Sequence, residues 1–421
     1  MKISGFSKKL KLLRIFFWSL GLSFFVFIFP TLFLQHTFAA SFNIDFLNLQ
    51  EAFPNLNLPK AYFKVGLKEA WERINGLNLN LSPVIIGIVD TGFDSKHPEF
   101  AEVNFGNTPL DAKTDSGELI DSQLESHGTN IAGIIGANNI SAISPINYIP
   151  PHMNGILSGV KNLNYTLEIR KRNKLIDKFT AFSAAKKIIE TVDSGSTIVS
   201  LSFAGFNIIG TVVFNSIFLV YPNTLFVVAA GNSNWPVAFF TPANLGAVHN
   251  IITVGATTLN DQRDPDSNYG DAVSISAPGE FVFSPTFFQE PLGADDYEDF
   301  SGTSASAPMV TGVAGLIKAI KPELTSAQIK QILIETADPI QTGELNKRIG
   351  TGCYSNPNDP LNTGCRLNAY KAVCHPLVLN CTPAPSILTV SDIIPSSVFL
   401  SWTKNTDPEM PYQTTLISFP F

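Results

Sequence analysis

Ser304 stands in FSGTSASAPMVTG, residues 300–312, where a Gly-Thr step and a run of small residues open an apolar helical pattern. A serine in the first turn of a helix lies beside unbonded backbone N–H groups and the positive end of the macrodipole. Capping serines sit there too, and Ser301 or Thr303 could cap this helix equally well. A serine hydroxyl attacks a carbonyl only with the help of a base, most often histidine. Of the six histidines, His36 falls in an apolar N-terminal segment, His375 among late cysteines, and His152 and His249 in irregular loops. His97 is followed by Pro98. His127 differs: SHGTNIAGIIGA sets it at the entry of a helix whose Gly128 and Gly133 allow a close approach.

Two further residues extend the set. Asp90 ends the apolar run VIIGIVD and opens a Thr91-Gly92 turn. A carboxylate there is costly to bury unless something binds it, and a histidine N–H is a suitable partner. Asn232 follows LFVVAAG at another apolar run's end, where a side-chain amide can donate toward a developing oxyanion. Taken singly, each of these residues has an ordinary structural explanation. Taken together they are a nucleophile, a base, an orienting carboxylate and an oxyanion donor.

Something must bring them to one place. Between residues 82 and 340, short Val/Ile-rich runs (84–90, 196–203, 224–232 and 250–257) alternate with helical patterns. The runs lack period-2 alternation, as expected of parallel strands buried on both faces. Residues 181–195 read as a helix with Phe182, Ala185, Ile188, Ile189 and Val192 on its apolar face and Gly195 as its stop. Gly312 and Gly315 predict close packing along the helix that Ser304 opens. The expected architecture is an α/β three-layer sandwich with a mainly parallel central sheet, and in such sheets sites gather at the carboxyl ends of strands.

With these segments in view, the chain resembles the subtilisin-like serine protease family (subtilases, peptidase S8). VIIGIVDTGFDSKHPEF (84–100) is similar to that family's aspartate segment, HGTNIAGIIGA (127–137) to its histidine helix, AAGN (229–232) to its oxyanion asparagine, SAPGEFVFS (276–284) to the strand before the serine, and FSGTSASAP (300–308) to its nucleophile segment. The order Asp, His, Ser is the subtilisin order. The resemblance covers about residues 65–340 and implies an endopeptidase in which Asp90 orients His127, His127 takes the proton from Ser304, and Asn232 with the Ser304 N–H holds the oxyanion. It further implies that Ser200, Leu201, Ser202, Ala230 and Gly231 border the substrate, and that no cofactor is required for catalysis. Structural calcium is a family property for which no ligand can be assigned here. Phe203-Ala204, Asn130 and Ala305 depart from the commoner family residues without touching the four key groups. A lipase or esterase would need a G-x-S-x-G elbow, and Ser304 sits in G-T-S-A-S. A binding or adhesion protein that keeps the fold without turnover is the alternative from another class.

The remaining segments set the context. Residues 1–39 combine five basic residues with an uncharged apolar run at 15–34, the pattern of an export signal or, uncleaved, of a membrane anchor. Residues 40–80 form an N-terminal extension too short for an inhibitory propeptide of usual size, and 81–345 the peptidase domain. Residues 346–382 carry all four cysteines, Cys353, Cys365, Cys374 and Cys381. In an exported chain these read as two disulfides, with 353–365 and 374–381 as the local pairing and a zinc site as the rival. The acidic stretch GADDYEDF (293–300) reads as a solvated loop or an attractor for basic substrate residues or a cation. Residues 383–421 look like the opening of a fibronectin type III domain, a β-rich tail. The net charge is −7, and −12 without the signal, which argues against nucleic acid as a partner. Expected partners are polypeptide substrates, with membrane only if the N-terminal segment is retained, and the expected state is an exported monomer.

Overall fold

A computed structural model of the chain describes residues 60–109, 126–138, 153–171, 181–206, 208–287, 296–341, 347–351 and 364–381, together with three strands beyond them, given as backbone. All belong to one of two compact units, Phe46–Phe421. The calls on the export segment, on His36, His152 and Asp295 and on Cys353 lie outside the described residues.

Six parallel strands make most of one sheet: β1 (Val84–Asp90), β2 (Tyr165–Lys171), β3 (Ile198–Leu201), β4 (Leu225–Ala229), β5 (Ile251–Thr257) and β6 (Ile275–Pro278). They run in the order β2-β1-β3-β4-β5-β6, extended by β10 (Gly364–Arg366), parallel to β6, and by β9 (Asp338–Ile340), antiparallel to β10. A separate hairpin pairs β7 (Val282–Pro285) with β8 (Tyr297–Phe300). The pairing Ile86↔Ile198 sets β1 beside β3, while Val84↔Tyr165 sets it beside β2. The chain therefore reverses its direction of travel across the sheet at β1/β3, and a crevice opens at the strands' carboxyl ends.

The sheet is covered on both faces, as its near-continuous apolar strands require. One face carries α3 (His127–Gly136) and the long α6 (Thr303–Ile320), with Ile86, Ile88, Ile198 and Val227 in a shared core. The other carries α4 (Ala181–Asp193) and α5 (Ile208–Val220), packed on Val89, Val199, Leu201 and Val228. α6 packs closely as its glycines predict, since a side chain at Gly312 would press on Ile156.

The face of α4 differs from its expected one. Ala181, Ala184, Ala185, Ile188 and Thr191 are buried, whereas Phe182 and Ile189 turn outward. The reason is distance: α4 lies so near β1 that a Cβ on Gly87 would overlap Thr191, and small residues fit that gap where Phe182 does not. The acidic stretch is also less solvated than expected, because Asp296 is buried and its carbonyl accepts from Thr286 N and from His97.

The flanking segments join the same core. α1 (Lys60–Lys64) and α2 (Leu67–Gly76) lie before β1. Tyr62 Oη donates to the Ile134 carbonyl at 3.1 Å, and Trp71 Nε1 to the Ile156 carbonyl at 2.8 Å. α7 (Ser326–Glu335) opens on a capping box between Thr325 and Gln328, and α8 (Ala369–Val373) follows β10. The cysteine-bearing extension thus supplies a sheet strand and a packed helix. Cys374 and Cys381 form a disulfide, as the local pairing expected; Cys365 is disulfide-bonded too, to a partner outside the described residues. In the tail, β11 (Leu388–Ile394), β12 (Ser397–Trp402) and β13 (Leu416–Ser418) form an antiparallel sheet with Leu388↔Trp402 and Val390↔Leu400 in register.

An ion cluster binds these extensions to the domain. Arg366 contacts Asp261 and, at 2.7 Å, Asp338; Lys371 reaches Asp338 at 2.6 Å, and Lys64 reaches Asp261 at 2.7 Å. Burial opposes the charge on Asp338, but its bonds to Lys371, Asn368 and Arg366 outweigh that and hold its carboxyl below the usual carboxylate range. A depressed folded-state value stabilises the protein above the unfolded value and loses that contribution as pH falls. Asp338→Asn is expected to cost about 1–3 kcal/mol at neutral pH. In urea melts across pH, the difference from the parent should shrink below roughly pH 4; a pH-independent difference would contradict the ion-cluster account. Gly128→Ala tests the approach of α3 to β1, because the added Cβ would overlap the Gly92 carbonyl oxygen. Thermal unfolding should show a loss of about 1–3 kcal/mol, the usual scale for overpacking.

Candidate active site

Three strand ends and two helix starts meet at the crevice. Asp90 is the last residue of β1, and its side chain is 2% exposed. Its Oδ1 accepts from the Thr91 backbone N–H at 2.7 Å and lies 2.7 Å from His127 Nδ1. The histidine must therefore carry its proton on Nδ1 and present Nε2 as the basic nitrogen of the neutral ring. His127 is the first residue of α3, held there by Gly128 N donating to Thr91 Oγ1 at 3.0 Å. Thr91 thus grips the carboxylate with its N–H and the helix with its hydroxyl. The first turn of α3 has a second anchor: Asn130 Nδ2 donates to Ser284 Oγ and to the Pro285 carbonyl, both at 3.0 Å. That gives the unexpected Asn130 a structural role. Phe300 stands edge-on to the His127 ring with centroids 5.3 Å apart.

Ser304 is the second residue of α6, after the N-cap Gly302 at φ 100°. A side chain at Gly302 would face a left-handed backbone and the Asn232 amide nitrogen, so glycine is needed on both counts. Neither Ser301 nor Thr303 caps the helix. Ser301 Oγ accepts from Phe281 N, while Thr303 gives both its N–H and its hydroxyl to Asn232 Oδ1, at 2.9 and 2.8 Å. With Oδ1 engaged twice, the Asn232 amide has one orientation, and Nδ2 is the end left to donate. Among the described residues no acceptor takes the Ser304 N–H, one of the first-turn donors of α6. A side-chain donor held beside Gly302 and Thr303, and the Ser304 backbone N–H, are thus both found at the start of α6.

The loop carrying Asn232 is braced from behind. Asn268 accepts from Ser233 N and Trp235 N and donates to the Ala230 carbonyl at 2.9 Å, and Gly231 N donates to Thr303 Oγ1 at 3.1 Å. Of the five expected substrate-bordering residues, Ser200 and Leu201 are buried within β3, and Ala230 is buried beside β5. Ser202, one step past β3, reaches Ser304, whose Oγ donates to its carbonyl at 3.4 Å. Phe203 points away from the crevice, into the core against Phe214. Sequence reading passed over Thr91, Asn268, Thr303 and Phe300 as functional positions. Thr91 and Thr303 stand next to Asp90 and Ser304, a usable signal; nothing local marks Asn268 or Phe300.

The other histidines among the described residues are placed elsewhere. His97 is buried, with Nδ1 accepting from Glu99 N, His249 is exposed in its loop, and His375 lies 3.6 Å from Glu335. Among the described residues no group of three or more His, Cys, Asp or Glu is arranged to hold a metal.

Comparison with known proteins agrees with this geometry. Residues 82–352 match the family model described as the Subtilase family. The chain is 30% identical to thermitase of Thermoactinomyces vulgaris over 324 residues, 74% of this chain and 94% of that protein. It is 29% identical over 296 residues to a thermophilic serine proteinase of Bacillus sp. (strain AK1), covering 69% of this chain but only 61% of that relative's length. Among solved structures, a protease from Pseudoalteromonas arctica aligns with a TM-score of 0.53 over 74% of this chain and 93% of its own, and a prenylagaramide maturation protease with 0.52 over 74% and 98%, each at 22% identity, which is a likeness of fold. With Asp90, His127, Asn232 and Ser304 gathered where the strands end, and a family model spanning the sheet that gathers them, the chain belongs to the subtilase family.

Proposed function

We propose that the protein is an exported serine endopeptidase that cleaves peptide bonds through an acyl-enzyme formed on Ser304. The observation that carries this reading is the Asp90–His127 bond on Nδ1, because it leaves Nε2 basic. In the proposed cycle Nε2 takes the Ser304 proton as Oγ attacks the carbonyl of a bound polypeptide. The imidazolium so formed is stabilised by the buried Asp90 carboxylate and then protonates the departing amine. Water repeats the sequence to release the acid product. Asn232 Nδ2 and the Ser304 N–H receive the oxyanion of each tetrahedral intermediate, where fixed donors act without reorganising. Ser202, beside the nucleophile, is the best supported of the substrate-bordering positions.

Export is supported by the basic and apolar pattern of residues 1–39, and by disulfides, which persist in oxidising compartments. The tail strands β11 and β12 pair antiparallel, which supports reading the segment as two successive strands, and we assign them a fibronectin type III resemblance as part of the proposal.

Hydrolysis of unfolded casein by the purified chain tests the reading. Activity should be present in the parent and absent in Ser304→Ala; a folded parent as inert as the variant would favour the binding-protein alternative. Asn232→Ala should lower kcat by roughly 10²–10³ with little change in KM, a magnitude known from subtilisin itself rather than read from this geometry. Thr303→Val removes the hydroxyl that donates to Asn232 and accepts from Gly231 N, so kcat should fall about tenfold, ~1.4 kcal/mol. A KM effect in its place would mean that Thr303 serves substrate binding.

A further inference from the structure

The Asp90 bond holds the His127 ring at Nδ1 and leaves the ring plane free to tilt. A hydrogen bond accepts tens of degrees of misalignment before it weakens steeply, and Nε2, across the ring, moves with every tilt. The His127 side chain is 21% exposed, so packing does not enclose it. Phe300 supplies a second restraint. The two rings meet edge-on with centroids 5.3 Å apart and planes 83° apart, a favoured arrangement of aromatic pairs. Phe300 is itself only half-buried, unlike the aliphatic side chains that fill the core.

The hairpin that carries Phe300 is tied down on every side. Phe300 ends β8 opposite Val282 of β7, and Ser301 accepts from Phe281 N at 3.1 Å, which closes the pair just beyond it. Phe283 stacks on Tyr297 with centroids 5.0 Å apart. Two bonds reach α3 on either side of His127: Thr286 donates to Ser126, and Asn130 donates to Ser284 and Pro285. Two more reach the segment that leaves Asp90. Tyr297 Oη donates to Glu99 at 2.7 Å, and His97 Nε2 donates to the Asp296 carbonyl at 3.1 Å.

We infer that Phe300 is a positioning residue for His127, with the β7–β8 hairpin acting as a clamp that fixes the imidazole plane while Nδ1 stays on Asp90. The clamp is referred to both members of the pair it serves, because its bonds end on the His127 helix and on the Asp90 segment. It is also continuous with the serine: β8 runs through Ser301 and Gly302 straight into α6, so Phe300 and Ser304 descend from one short stretch of chain. Phe300 has no proton to give and no donor to offer, and acts only through the ring it touches. The restraint is a property of the folded protein. Its effect on turnover rests on the serine endopeptidase reading above.

Proton NMR of the full chain reads the restraint directly. The proton between His127 Nδ1 and Asp90 should give a low-field line, identified by its absence from His127→Gln. In Phe300→Leu, which stays apolar but loses the ring, that proton should exchange with water about two- to tenfold faster, and in Phe300→Tyr as slowly as in the parent. Asn130→Ala keeps Phe300 but frees the hairpin from α3, and should speed exchange likewise. Peptide hydrolysis should show kcat lowered about two- to tenfold in Phe300→Leu and restored in Phe300→Tyr, with KM unchanged. The loss should be the same whichever residue follows the cleaved bond. Parent-like exchange in Phe300→Leu or in Asn130→Ala overturns the inference, as does a parent without the line, which would have no held ring to position. A loss carried by KM, or one that varies with the residue after the cleaved bond, overturns it too, because Phe300 would then be a substrate contact. An inert parent whose low-field line still depends on Phe300 sinks the protease reading and leaves the clamp standing.

Discussion

A carboxylate held almost out of water at the end of β1 is the constraint around which the site is built. Asp90 can remain charged there only if donors reach it, as the Thr91 N–H and His127 Nδ1 do. For the histidine to arrive, the first turn of α3 must come so close to the β1 exit that position 128 has no room for a side chain. Once α3 is drawn in, its glycine-bearing flank meets β7 and its body packs beside α6. The helix that bears His127 and the helix that bears Ser304 are thereby parts of one layer.

The serine side obeys a second geometric rule. Parallel strands deliver all their carboxyl ends to one edge of the sheet, so the end of β1 gives Asp90, the end of β3 gives Ser202, and the end of β4 leads to Asn232. α6 begins at that same edge, which places Ser304 and its first-turn N–H among them. The accuracy of the arrangement comes from neutral hydrogen bonds to side chains. Thr303 turns the Asn232 amide, and Asn268 ties the following loop to three backbone groups. These bonds are worth little singly, about 0.5–1.5 kcal/mol net. Their effect is to remove alternative orientations of groups that must not move.

The two faces of the sheet serve different ends. On the α3/α6 side, additions from both ends of the chain consolidate the core: α1 and α2 bond to the α3 end and to the Ile156 turn, and β10 with α8 is locked by Asp338, Arg366 and Lys371. On the α4/α5 side the inner positions are filled, the outer face of α4 carries Lys186 and Glu190, and that of α5 stays mostly apolar. A helix that is apolar all round is ordinarily buried. Its position at the surface is what makes α5 unusual.

Much of this was legible in residue order. Buried parallel strands have no polar face, so their runs of Val and Ile stand out, and a charged residue closing such a run, as Asp90 does, marks a strand end with a task. His127, Asn232 and Ser304 were equally visible because each adjoins glycine and small residues that only a close approach requires. The local disulfide between Cys374 and Cys381 was legible for the same reason, short range. Tertiary structure alone decided what depends on contacts distant in sequence. Periodicity offered Phe182 and Ile189 to the core, but the gap beside Gly87 admitted only small side chains. Asn268 and Phe300 act on residues in other segments, Cys365 proved to belong to a sheet strand, and Phe203 turned inward. A sequence records which side chains prefer to leave water and where the backbone can bend. Which of them are admitted, and which polar atoms meet, is settled by the volume left between packed elements.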